Sequence, residues 1–145
     1  FNPVNGQISE FIGSPNILCC DYCRKLARGL VEITSRGLNI IVPDNGNDIR
    51  KIAILPHDIY VSRSKPPGPD VNRFMGTIID IKSSMNLTLI QLRVGKHILL
   101  AEQPIEIEKE LNLKAEDEVH LILKMPYIKT LSAGENQSPF ADHSF

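Results

Sequence analysis

The sequence predicts an all-β protein built from one or two small barrels. From residue 17 onward the apolar segments are short and turn residues interrupt them, which is the pattern of strands. Several such segments and a single short helix fall within residues 72–131, a density typical of small barrels. The 145 residues are 42% hydrophobic and 23% charged, so the chain is large and apolar enough to bury a core without disulfides.

The N-terminal half, residues 17–63, contains apolar runs separated by turn signals. A Gly-containing turn at 35–37 lies between two such runs and predicts a hairpin. The sequence Asp-Asn-Gly-Asn at 44–47 predicts a tight turn. The predicted strands are 17–20, 30–33, 38–42, 49–55 and 59–61.

The C-terminal half, residues 72–131, has the clearer pattern. Gly95 stands first in a two-residue turn between apolar runs, as a type II′ hairpin requires. Pro104 marks the start of a short helix with acidic residues in its first turn, where the helix dipole favours them, and Asn112 is a suitable end. The predicted strands are 74–82, 87–94, 97–101 and 119–124.

Residues 1–16 are expected to contain a short helix and a linker. Ile8, Phe11 and Ile12 share one helical face within residues 5–13, and Gly13 is a natural stop. Because the chain begins with Phe1 and has no leader-like segment, we expect it to be a piece of a longer protein.

Two further segments mark boundaries. Residues 64–71 contain three Pro and one Gly, which exclude a central strand or a helix interior and predict a linker between the halves. Residues 132–145 are mostly polar and lack periodicity, so they are expected to form a loose tail.

Composition excludes several classes of function. Lys and Arg number 16 against 17 Asp and Glu, so no surplus of positive charge exists to neutralise phosphates or bind an anionic membrane surface. Aromatic residues make up 6% and Trp is absent, which disfavours the stacking surface of a nucleic-acid-binding barrel.

No catalytic motif is present in the sequence. The phosphate-binding pattern Gly-x-x-x-x-Gly-Lys-(Ser/Thr), the Gly-x-Ser-x-Gly elbow and the His-Glu-x-x-His helix are all missing. We therefore expect binding or regulation, and no enzymatic activity of this chain.

Cys20 and Cys23 have the Cys-x-x-Cys spacing of half a zinc site. No second pair of Cys or His follows at the usual distance, so they are weak candidates and no metal site is assigned. The alternative is that these thiols pack as small apolar groups. Three clustered Cys, an odd number, suit a reducing compartment better than a disulfide framework.

Three stretches within residues 1–62 follow a known pattern. Residues 1–4 read Phe-Asn-Pro-Val and residues 9–17 read Ser-Glu-Phe-Ile-Gly-Ser-Pro-Asn-Ile, while residues 54–62 read Ile-Leu-Pro-His-Asp-Ile-Tyr-Val-Ser. Together they resemble the C-terminal regulatory region of ABC importer ATPases, with Leu55 and His57 in place of the usual Arg and Glu.

The C-terminal half is similar to a second pattern. Residues 72–78 read Asn-Arg-Phe-Met-Gly-Thr-Ile, and residues 111–119 read Leu-Asn-Leu-Lys-Ala-Glu-Asp-Glu-Val, followed by Ile-Leu-Lys-Met at 122–125. These motifs resemble the molybdate/tungstate-binding (Mop) family, except that Glu116 replaces a Gly. The resemblance implies an OB-like regulatory domain, of the TOBE type, from a molybdate/tungstate-type ABC importer ATPase.

The same resemblance implies ligand residues. Lys124 matches the family's Lys near its end, whereas the family's Ser and Arg before the Asn become Pro69 and Val71. Asn72 and Arg73 are expected to compensate, so the predicted oxyanion ligands are Asn72, Arg73 and Lys124, with bound molybdate or tungstate and no other cofactor. Alternatively, Lys124 is only an exposed strand Lys and Asn72 only a turn former.

Partners and location follow from the resemblance as well. It implies a homodimer through the barrel, an ATPase domain of which residues 1–16 are the trailing helix and linker, indirect contact with a permease, and a cytoplasmic position at the membrane. Within residues 87–94, Leu87 and Leu89 face away from Ile90 and Leu92, and this supports a covered outer face. A β-bulge is the alternative.

Two other functions stay open. One is the same regulatory domain in an importer for sugars, polyamines or sulfate, with no ligand site of its own, which the changes at Pro69 and Val71 favour. The other is a self-standing oxyanion-storage protein, against which the expected helix over 5–13 argues.

Overall fold

The computed structural model describes residues 14–132, which are mostly strand. The predicted helix over 5–13 and most of the predicted tail lie outside the described residues. Within them a short helix, α1 (Ile105–Leu111), precedes the strand Glu118–Leu123. The strands are β1 (Asn16–Cys19), β2 (Tyr22–Lys25), β3 (Leu30–Ser35), β4 (Leu38–Pro43), β5 (Ile49–Ile54), β6 (Ile59–Ser62), β7 (Arg73–Ser84), β8 (Leu87–Val94), β9 (His97–Pro104), β10 (Glu118–Leu123) and β11 (Lys129–Ser132).

These strands form three antiparallel sheets. The orders are β1-β5-β11, β2-β3-β4 and β6-β10-β7-β8-β9. The hairpin β3–β4 turns at Arg36 and Gly37, and the hairpin β8–β9 turns at Gly95 and Lys96, both where turn residues predict them. The all-β prediction is confirmed.

Two strand pairings join residues before the Pro-rich segment 64–71 to residues after it. β6 lies before this segment and pairs with β10, which lies after it. β11 in turn pairs with β5 of the N-terminal half. Each predicted half therefore completes a sheet of the other, and the division of the chain at 64–71 stays a prediction about domains.

Two Asn side chains join the sheets where no strand pairing does. The amide of Asn72 accepts a 2.7 Å hydrogen bond from Ile41 N–H and donates a 2.8 Å bond to Ile41 O. The amide of Asn16 makes the same pair of bonds with the backbone of Leu100. Each amide thus takes the place of a strand residue and satisfies an edge that would otherwise lack partners.

One apolar cluster fills the space between the sheets. Its fully buried members come from all three sheets, so neither half has a separate core. Each such side chain contributes about 1.5–3 kcal/mol relative to exposure. Representative members are Leu18, Ile33, Ile40, Ile52, Ile54, Ile78, Ile90, Leu92, Leu121 and Leu123.

The helix prediction is confirmed in detail. Pro104 is the N-cap of α1, Glu106 and Glu108 lie in its first turn, and Asn112 ends it in the left-handed conformation at φ 51°. Two strands were not predicted. In β2 every residue is exposed, so its sequence shows no apolar alternation. Strand β11 falls between the last predicted strand and the expected tail, and it shows no apolar alternation either.

The outer face of β8 is covered within the chain itself. Leu89 is 1% exposed and Ile90 is 0% exposed, so both faces of the strand are buried. Helix α1 packs against β8 and β9. A second copy is therefore not needed to explain the apolar pattern of β8, and the homodimer stays a prediction without this support.

The register irregularity considered for β8 lies in the neighbouring strand. The pairing of β7 with β8 shifts between Ile78 and Asp80, which marks a bulge in β7. Among residues 14–132, no helix has the length and apolarity that crossing a membrane requires.

Candidate functional site

An open groove of about 530 Å³ lies where the Pro-rich segment meets the end of β10 and the start of β7. It brings together residues from both sequence halves. Its lining residues are Tyr60, Pro66, Pro67, Pro69, Val71, Arg73, Ile122, Leu123, Lys124, Met125 and Pro126.

Lys124 places a positive charge in this groove. It follows the last residue of β10 and precedes a 3-10 turn, Met125–Tyr127, so ordered backbone on both sides holds its Cα in place. Its ammonium group lies 5.5 Å from the centre of the Tyr60 ring, within the range of a cation–π contact. Among residues 14–132 no carboxylate pairs with Lys124, so its charge is available to an anion.

Arg73 is the second cation of the groove, but part of its guanidinium is engaged. Nη1 donates a hydrogen bond to Pro66 O, and Nη2 donates a 2.6 Å bond to Pro67 O. These bonds hold the Pro-rich segment against β7. Since a guanidinium has five N–H groups, donors remain for a ligand in the groove.

Asn72 lies beside the groove without lining it. The residue is 6% exposed at φ 53°, and both ends of its amide bond the backbone of Ile41. Its own carbonyl accepts the N–H of Leu123 at 2.9 Å. Its amide therefore connects β4 to the start of β7 beside Arg73, and its carbonyl connects the same point to the end of β10 beside Lys124.

Apolar and rigid residues form the rest of the groove. Pro69 and Val71, which replace the polar residues of the resembled motif, both line it, as do Pro66, Pro67 and Pro126. An apolar wall raises the strength of an electrostatic contact because it excludes water from part of the ligand's surroundings. The groove thus offers few donors in a partly apolar setting.

Sequence reasoning missed Tyr60. It is the second residue of β6, in the other half of the chain, and it reaches Lys124 only because β6 pairs with β10 through Tyr60 and Ile122. The apolar neighbours Ile59 and Val61 could mark Tyr60 as outward-facing, but no local signal names its partner.

A smaller groove of about 330 Å³ adjoins the first and shares Tyr60 and Lys124 with it. Its rim carries His57 and Asp58, whose ring Nε2 and carboxylate Oδ1 lie 3.6 Å apart. Glu102 also lines it, so its charges are mixed. This balance makes it a poorer match to an anion than the larger groove.

The Cys cluster lies on β1, β2 and the residues between them. Burial raises the pKa of the Cys20 thiol to about 11, and the nearby Cys23 thiol and Asp21 carboxylate add to this rise. No group of three or more His, Cys, Asp or Glu able to hold a metal occurs between residues 14 and 132.

Comparison with known proteins gives one kind of match. No protein-family model matches the chain, and no curated protein matches it in sequence. A solved structure does match: the cytoplasmic molybdate-binding protein ModG with molybdate bound. The TM-score is 0.62 at 11% identity, and the match covers 81% of this chain and 95% of that chain.

The chain has the fold of ModG. At this identity the match concerns the backbone, and it confirms the predicted OB-like, Mop-like β architecture. It extends well beyond either half of the chain taken alone, in agreement with the sheets that both halves build together.

Proposed function

We propose that this chain binds a tetrahedral oxyanion, molybdate or tungstate, in the groove lined by Lys124 and Arg73. The observation that carries the proposal is the Lys124 ammonium at this groove, which no carboxylate of residues 14–132 pairs, in a fold shared with a molybdate-binding protein. That neighbour is described as a binding protein, which supports a binding role without a reaction.

The chemistry of the groove suits such an ion. A dianion with four oxygens gives up its hydration only to cations and N–H donors that replace it. Lys124 supplies an ammonium group, and Arg73 supplies the N–H groups not spent on Pro66 and Pro67. The Pro and Val walls exclude water and strengthen these charge-assisted contacts.

The finer proposal is a regulatory domain of an ABC importer ATPase, cytoplasmic, at the membrane and paired as a homodimer. It rests on the resemblance of residues 1–17 and 54–62 to the regulatory region of such ATPases. An oxyanion that prefers one arrangement of the paired domains would bias attached ATPase domains toward rest.

A self-standing oxyanion-binding protein is the second candidate. The match with ModG favours it equally, because ModG is itself described as a cytoplasmic binding protein. A regulatory domain that has lost its ligand site is the third. The apolar side chains of Pro69 and Val71 in the groove favour that one.

Isothermal titration of the 145-residue chain with tungstate tests the proposal, with sulfate as the selectivity control. We expect saturable binding that Lys124→Ala weakens by at least about tenfold, the value of one charge-assisted contact. Lys96→Ala, which removes an exposed turn lysine outside the groove, should leave the affinity unchanged.

Absence of heat and of any thermal shift at millimolar tungstate would overturn oxyanion binding and favour the regulatory domain without a ligand. Saturable binding in a dimer-sized particle, measured by light scattering, would support the pairing that the finer proposal requires.

A further inference from the structure

The described residues contain an internal two-fold equivalence that the sequence does not reveal. The hairpin β3–β4 corresponds to β8–β9, β5 corresponds to β10, and β6 corresponds to β11. β1 corresponds to the start of β7, since β1 pairs with β5 and the start of β7 pairs with β10, the strand that corresponds to β5. Strands β5 and β10 each lead through a 3-10 turn into the strand that crosses to the other half.

The strand registers fix this equivalence residue by residue. Ile17 lies opposite Ala53 in β1–β5, and Arg73 lies opposite Ile122 in β7–β10. Tyr60 lies opposite that same Ile122, and Lys129 lies opposite that same Ala53. Arg73 therefore corresponds to Ile17, and Tyr60 corresponds to Lys129.

The two Asn amides confirm the pairing independently. Asn16 and Asn72 directly precede Ile17 and Arg73, and each bonds the backbone of one hairpin residue. Those residues, Leu100 and Ile41, are both the fourth residue of their strands, β9 and β4. Both halves thus use the same contact at the same place.

Lys124 corresponds to Leu55 under this equivalence. Leu55 directly follows β5 and Lys124 directly follows β10, and each is the N-cap of a 3-10 turn, with φ and ψ of −66° and 127° for Lys124 and −73° and 148° for Leu55. The backbone therefore presents two similar positions, but only one carries the ammonium group. At the other, Leu55 and Ile17 replace both cations of the groove.

We infer that the chain holds one oxyanion, at the Lys124 position, and that the equivalent position around Leu55 is silent. This inference rests on the proposed function and adds its stoichiometry and location. Of the described residues that correspond to Tyr60, Arg73 and Lys124, Lys129 alone carries a positive charge, and it occupies the place of Tyr60, not that of Lys124. One lysine beside Leu55 and Ile17 lacks the second cation that the Lys124 position obtains from Arg73.

The equivalence supplies a matched pair of variants. Lys124→Leu gives the Lys124 position the residue found at Leu55, and Lys129→Leu removes the cation of the silent position. Both lysines are exposed, so both variants should fold, which circular dichroism and thermal unfolding verify. The measurement is tungstate binding by equilibrium dialysis and titration calorimetry on the 145-residue chain.

We expect one tungstate per chain, at least about tenfold weaker binding in Lys124→Leu, and unchanged affinity and stoichiometry in Lys129→Leu. Two equivalents per chain, with one lost in Lys129→Leu, would overturn the inference and leave the proposed function standing. Equal losses in both variants, or no loss in either, would also overturn it. No binding to the unsubstituted chain would overturn the proposed function, and the inference with it.

Discussion

Gly76 is the residue at which the packing of the C-terminal half tolerates no side chain. It lies in β7 opposite Val119 of β10. A Cβ at this position would stand 2.7 Å from Leu121 Cδ1 and 3.1 Å from Val94 Cγ2, both in the core. The absence of a side chain here is what lets β7 and β10 approach the β8–β9 turn.

We therefore predict that Gly76→Ala destabilises the fold by about 1–3 kcal/mol, the usual cost of overpacking a core. Urea unfolding followed by circular dichroism measures it. The neighbouring Met75 is 50% exposed, so Met75→Ala should stay within about 0.5 kcal/mol. Similar losses of stability in the two variants would show that β7 is sensitive to any substitution and that the close contacts at Gly76 are not the cause.

Asn72 yields a second prediction at the scale of one residue. Asn72→Ala leaves Ile41 N–H and O without partners in a part-buried place, which costs about 1–3 kcal/mol. It also puts Ala at φ 53°, a left-handed conformation that Asn accepts more readily. Differential scanning calorimetry should show a lower Tm.

The exposed residue Asn86 provides the control for this substitution, since its side chain makes no hydrogen bond among the described residues. Asn86→Ala should leave the Tm nearly unchanged. An Asn72→Ala protein as stable as the parent would mean that the sheets are not joined through this amide.

Among the elements, α1 is held at its C-terminal end by a residue that follows β6. Arg63 Nε donates a 2.5 Å hydrogen bond to Leu111 O, and Nη2 bonds Asn112 O and the carboxylate of Asp117 at 2.9 Å. Asp117 also accepts the N–H of Lys114 at 3.0 Å. One ion pair thus fastens the helix end, the following loop and β6 together.

This arrangement predicts a pH dependence. The Lys114 N–H, first, and the Arg63 guanidinium lower the pKa of Asp117 from its ordinary value of 3.8. Because the folded pKa lies below the unfolded one, the stabilisation is complete above the unfolded value. It is lost as the pH falls through the folded value.

Thermal unfolding of the parent and of Asp117→Asn between pH 7 and pH 2 checks this expectation. The parent should be the more stable at pH 7, and the difference should shrink below about pH 4, where the carboxylate takes up its proton. A difference that does not change with pH would assign the effect to geometry alone.

At the scale of the whole molecule, the two halves depend on each other's strands. β6 supplies Ile59 and Val61, each 4% exposed, to the core next to β10, and β11 supplies Leu131 next to β5. In a fragment that lacks β6 or β11, the strand β10 or β5 has one unpaired edge and the core is incomplete.

We predict that residues 64–145 expressed alone unfold without a cooperative transition, whereas mixing them with residues 1–63 restores one. Near-ultraviolet circular dichroism and urea titration of the two fragments, separate and combined, measure this. A C-terminal fragment as cooperative and stable as the whole chain would show that the Pro-rich segment separates two independent domains.

Much of the architecture can be predicted from the sequence alone, because the relevant signals are local. Alternation of apolar residues and the turns at Arg36-Gly37 and Gly95-Lys96 placed the two hairpins, and Pro104 with Asn112 bounded α1. The resemblance to the Mop family also singled out Arg73 and Lys124, which the fold brings into one groove. Strand β2 was not predicted because all of its residues are exposed, so its sequence shows no apolar alternation.

The tertiary structure decided what depends on pairing between distant segments. Tyr60 lies beside Lys124, and β6 and β11 pair with strands of the other half, because distant strands pair in one particular register. The amide of Asn72 reaches Ile41 because two different sheets pack against each other. No residue's neighbours in sequence encode such a register, since it is chosen by the burial of a core shared across the whole chain.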